Sequence, residues 1–159
     1  NAELGQSVGM GMGAMEELSS APPMMESGVV QVRAGGDGGR ATIQQYFPFA
    51  TVIHAGESVT WYIPVDAIAE PHTVSWPPTY GQEVSPIPQD QGPPILAVGP
   101  SLTPMTDSGA AIGSGDSFSS GLFFPGDTFT LTFTEPGIYP YTCNIHLGMN
   151  GVVVVLPAE

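Results

Sequence analysis

The chain has no lysine, and its only cationic side chains are Arg33 and Arg40, set against fifteen Asp and Glu for a formal net charge of −13 at pH 7. Such a balance repels phosphate backbones and anionic headgroups. It excludes nucleic acid and acidic membrane surfaces as partners and favours a basic protein partner where charge steers docking. Cysteine occurs once, at Cys143. A lone thiol rules out a disulfide framework and equally a two-thiolate binuclear copper centre. No apolar run reaches the roughly 18 residues that a membrane-crossing helix needs. No stretch shows helical periodicity with caps, and neither a nucleophile triad nor a phosphate loop is visible.

What is present is β-prone. The 159 residues, 42% hydrophobic, suffice for one domain with a core. Short segments bounded by turn residues run from Val29–Arg33 through Ala41–Phe47, Ala50–His54, Ser58–Ile63 and His72–Trp76 to Thr128–Thr134, Ile138–Cys143 and Gly151–Leu156. Phe129, Leu131 and Phe133 alternate with threonines, as a strand with one buried face requires. The closing valine run is apolar on both faces and is expected to be central. About eight such strands predict an all-β sandwich. Residues 1–28 are rich in Gly, Ser, Pro and Met without a sustained period, and read as a flexible tail or tether. Residues 77–121 form a long Pro/Gly-rich insertion, expected to pack over the sandwich near its functional end through Ile95–Val98 and Phe118. Trp76, at its root, is expected in the core.

The chemistry concentrates in Cys143-Asn144-Ile145-His146-Leu147-Gly148-Met149, where thiol, imidazole and thioether recur at steps of three between two strands. Two imidazoles and one thiolate with a weak axial thioether form the ligand set of blue-copper electron-transfer sites. A second imidazole must come from His54 or His72. His54 stands at a strand end beside a Gly-Glu turn, the usual place for a solvated histidine, whereas His72 lies within a β-prone run; the predicted ligand is His72. The predicted metal set is therefore His72, Cys143, His146 and Met149, with one copper ion cycling between Cu(I) and Cu(II). Met105 in the insertion is the next sulfur available.

These residues resemble the cupredoxins, the plastocyanin/amicyanin-like group of type 1 copper proteins. The likeness is carried by Phe47-Pro48, Ala55-Gly56-Glu57-Ser58-Val59-Thr60-Trp61, Pro71-His72-Thr73-Val74, Pro125-Gly126-Asp127 and Gly137-Ile138-Tyr139-Pro140-Tyr141-Thr142-Cys143 with His146, Met149 and Gly151. It spans residues 29–76 and 121–157. The resemblance implies a Greek-key β-sandwich over 29–159 and copper held by the four residues named above. It further implies that the ring edge of His146 faces docking partners. The two-residue gaps around His146 are like the short amicyanin loop. Two departures stand out: Thr73 takes the place where many members carry Asn to brace the Cys loop, and the 77–121 insertion is far longer than in plastocyanin.

The expected function is one-electron transfer between redox partners outside the cytoplasm, periplasmic, secreted or on the outer surface. Those partners would be basic proteins of cytochrome or copper-oxidase type. The start at Asn1 rather than Met fits removal of a leader, and the tail allows a membrane tether. A copper carrier or store, using Met10, Met12, Met15, Met24 and Met25 as a second Cu(I) site, is the alternative reading, as is a self-associating structural module. An enzyme is not expected, because the protein fills all four coordination positions, whereas catalytic metals keep one open.

Overall fold

The structure, a computed structural model, describes residues 2–39, 41–67, 70–80 and 84–159; Arg40 and residues 81–83 of the insertion lie outside them. In chain order the elements are α1 (Ala2–Ser20), β1 (Met24–Glu26), β2 (Val29–Asp37), β3 (Thr42–Phe47), β4 (Ala50–His54), β5 (Ser58–Tyr62) and β6 (Ser75–Trp76). There follow β7 (Val84–Ile87), β8 (Ile95–Val98), β9 (Ala110–Ile112), β10 (Phe118–Ser119), β11 (Thr128–Phe133), β12 (Gly137–Thr142) and β13 (Asn150–Leu156). One sheet runs β1-β2-β5-β11-β9, with β3 also paired to β2; the other runs β10-β6-β12-β13-β4. The architecture is the all-β sandwich expected, enlarged by strands from the insertion.

Alternation builds the core. Phe129, Leu131 and Phe133 of β11 point inward and are buried, while Thr130 and Thr132 face outward and share hydroxyl hydrogen bonds of 2.8 Å with Thr60 and Ser58 across the pair with β5. Trp61 of β5 is fully buried and meets Tyr141 of β12 edge-on at 5.1 Å, and Tyr46 of β3 meets the same ring at 4.8 Å. The valine strand β13 is flanked on both sides, by β12 and β4. A Cβ at Gly151 would collide with the Tyr141 ring, so the second position of this strand accepts only glycine. Trp76 is partly buried against the core.

Two expectations are corrected. Residues 2–20 form a helix rather than an unstructured tail, and β1 adds an edge strand to β2. The half-buried helical positions are Ser7, Gly11, Ala14 and Leu18, one face at helical spacing but made of small residues apart from Leu18; its contacts are with β2 and β3. Backbone-to-backbone approach takes the place of an apolar stripe: a Cβ at Gly38 would lie 2.8 Å from the Gly11 Cα. In the insertion, Phe118 and Leu102 are anchored as core residues, but Ile95 and Val98 are exposed on the separate β7–β8 hairpin. Ile95 and Val98 therefore do not tie the insertion to the sandwich.

Candidate metal centre

Two strand ends and their loops converge at one end of the sandwich. Cys143 follows β12, and the chain turns back at once: the Met149 N–H donates to the His146 carbonyl at 3.0 Å and the Cys143 N–H donates to the Met149 carbonyl at 2.9 Å. Gly148, at φ +89°, takes the left-handed position that closes this turn. Opposite, His72 is clamped by a two-way backbone bridge to Phe123, at 3.1 and 3.0 Å. The Gly35 Cα lies directly against His72 Nε2, so that any Cβ there would strike the ring.

The result brings three of the four sequence-predicted donors together. His72 Nδ1, Cys143 Sγ and His146 Nδ1 all lie within 4.8 Å of one another. The separations are 3.1 Å between the two nitrogens and 3.9 and 3.5 Å from the sulfur to His72 and His146. Three donors at metal–ligand lengths of about 2.0–2.3 Å around one ion stand roughly 3.3–3.8 Å apart, so the set fits a single soft-to-borderline metal. Met149 is buried in the same core cluster as Cys143. His54 stands at the other end: it pairs with Leu156, while Asn150 at the start of the same strand pairs with Thr142, a span of about 20 Å. Its imidazole lies beside Glu57 and Glu159 instead. Met105 is exposed.

Electrostatics prepare these groups for a cation. Burial, with the charge of His146 as a lesser cause, lowers the His72 pKa to about 4, so its lone pair is available at neutral pH. Burial also raises the Cys143 thiol, opposed by hydrogen bonds from the backbone of Thr73, Ile145 and His146. The Thr73 N–H reaches Sγ at 3.3 Å. Those N–H groups stabilise the thiolate, the form that binds metal.

The surrounding brace joins Thr73 to residues the sequence did not disclose. Thr73, despite its departure from the usual Asn, still braces the Cys loop: its hydroxyl accepts from the Asn144 N–H at 2.8 Å. The Tyr46 hydroxyl donates to the Thr73 carbonyl from the core side. Asn144 ties the loop to the insertion, accepting from the Thr79 N–H at 3.1 Å and donating to the Ser101 carbonyl at 3.0 Å. Glu70 Oε1 lies 3.3 Å from His146 Nε2. The signal for Glu70 was available, since each ligand imidazole has a second nitrogen that needs a partner.

The sequence pattern of the copper binding proteins of the plastocyanin/azurin family matches residues 30–156. Among solved structures, amicyanin from Paracoccus versutus (Thiobacillus versutus) is 20% identical, with a TM-score of 0.49 over 87% of this chain and 95% of that one. A Cu(I) mutant of amicyanin is 20% identical, with a TM-score of 0.49 over 82% of this chain and 85% of that one. Against curated proteins, no relative matches the sequence.

Proposed function

Because this chain belongs to the plastocyanin/azurin family of copper binding proteins, we propose that it carries single electrons on one type 1 copper ion held by His72, Cys143, His146 and Met149. The observation that carries this reading is the convergence of two imidazole Nδ1 atoms and one thiol, with His72 and Cys143 buried and His146 half-buried. When bound, copper supplies the one-electron couple. His72 and His146 offer neutral imidazoles, Cys143 a thiolate, and Met149 a weak thioether. The chain's own contribution is rigidity: the Thr73 hydroxyl, the Phe123 bridge and the Cys143–Met149 backbone bond hold the donors in one arrangement for both oxidation states. His72, at 2% exposure, is sealed from solvent, so electrons enter and leave on the side of the less buried His146.

The copper-bearing unit of this reading is 29–159, with no ligand drawn from 1–28. The protein is an electron carrier rather than an enzyme, works outside the cytoplasm, and meets basic redox proteins. The decisive measurement is the visible and EPR spectrum of the copper-loaded protein. The wild type should show an intense thiolate-to-copper band, Cys143→Ser should lose it while remaining folded, and His54→Ala should keep it. A serine variant that retains the colour would sink the assignment.

A further inference from the structure

The His146 Nδ1 faces Cys143 and His72, which leaves Nε2 as the nitrogen pointing away from the donor cluster. That nitrogen is 3.3 Å from the Glu70 carboxylate, with side-chain exposures of 11% for His146 and 27% for Glu70. The same carboxylate oxygen is approached by the Gln44 amide of β3 at 3.5 Å. Glu70 stands two residues before His72, joined through Pro71, and His72 is itself fixed by the bridge to Phe123. One segment therefore supplies a donor of the cluster and a partner for the donor facing it.

Resting on the electron-transfer reading above, we propose that Glu70 is the positioning residue of His146: it accepts a hydrogen bond from the Nε2–H, fixes the tautomer that presents Nδ1 to copper, and tunes the site toward Cu(II).

An exposed Glu–His contact would contribute little. This one is half-buried, and the opposite face of the imidazole is committed to the donor cluster, so the pair sets both ring orientation and tautomer. A carboxylate on the outer nitrogen makes the ring a stronger donor. Stronger donation and an added negative charge both favour the more highly charged ion, so Glu70 lowers the reduction potential. The two imidazoles become inequivalent. His146 leans on a carboxylate, whereas His72 Nε2 abuts the bare Cα of Gly35. The carboxylate also stands at the ring edge where a partner would approach, so contact with His146 runs past Glu70.

The test begins without copper. Nitrogen NMR of the metal-free wild type should show His146 as the Nε2–H tautomer with a slowly exchanging proton, and Glu70→Ala should speed that exchange and mix the tautomers. In the copper-loaded protein, Glu70→Ala and Glu70→Gln should keep the blue band. Both should shift the Cu(I)/Cu(II) preference about tenfold toward Cu(I), a rise of about 59 mV for a one-electron couple. Glu57→Gln removes one charge beside His54 at the other end of the sandwich and should move the potential far less. Mixed tautomers in the wild type, or a Glu70 shift no larger than that of Glu57→Gln, overturn the proposal while a blue wild type leaves the copper reading standing. Absence of the blue band in the wild type overturns the copper reading and this one together.

Discussion

Gly35 holds φ +76° with its Cα pressed against His72 Nε2, so the residue answers two demands at once. A left-handed backbone disfavours any Cβ, and the imidazole occupies the space that a Cβ would fill. Gly35→Ala should cost about 1–3 kcal/mol, because the backbone strain and the displaced ring are both retained in the folded state. Urea melts of the metal-free variant measure the cost, and the copper-loaded variant should show an altered visible spectrum because His72 has moved. Wild-type stability with an unchanged spectrum would mean that the ring stands elsewhere. Thr73 illustrates a different economy. Its N–H reaches the Cys143 sulfur, its hydroxyl takes the Asn144 N–H, and its carbonyl takes the Tyr46 hydroxyl, so three groups of one residue hold strand and loop together.

The elements differ in how openly the sequence announces them. Strands such as β11 and β12 were legible because their buried faces are apolar at period two, and the Cys143–Met149 loop was legible because donor types and spacing coincide between strands. Helix α1 was not, since three of the four residues on its inward face, Ser7, Gly11 and Ala14, are small and Leu18 alone leaves no apolar period even where backbones pack closely. The insertion was half legible: aromatic burial located Phe118, but nothing in the proline-rich composition distinguished the exposed β7–β8 hairpin from the strap around Ser101. That strap depends on Asn144, buried at 5% exposure and bonded to Thr79 and Ser101. Asn144→Ala would leave a backbone N–H and a carbonyl without these partners, a loss of about 1–3 kcal/mol. Thermal melts of the metal-free protein should show it. An unchanged midpoint would mean that the insertion is not tied to the loop through this side chain.

For the whole molecule, two charge effects act at different depths. Inside, His72 has a folded pKa of about 4 against 6.5 for the free side chain, because burial disfavours the imidazolium. The unfolded chain therefore binds more protons between those values, so the stability of the metal-free protein is full above about pH 6.5 and falls as pH drops toward 4. Up to about 3 kcal/mol is at stake, and His72→Phe should flatten that part of the stability–pH curve, as denaturant melts across the range would reveal. Outside, a net charge of −13 surrounds the fold, with no lysine and only two arginines to oppose it. Such a field draws a basic partner over long range, and salt screens it beyond about 8 Å at physiological ionic strength. The second-order rate of electron transfer to a basic redox protein should therefore fall steeply with added salt at pH 7. Near the sequence pI of about 4.1 the net charge is close to zero, and the same titration should be nearly flat. A rate at pH 7 that ignores salt would place recognition on the exposed apolar side chains instead, with Leu147 beside His146 the first to replace.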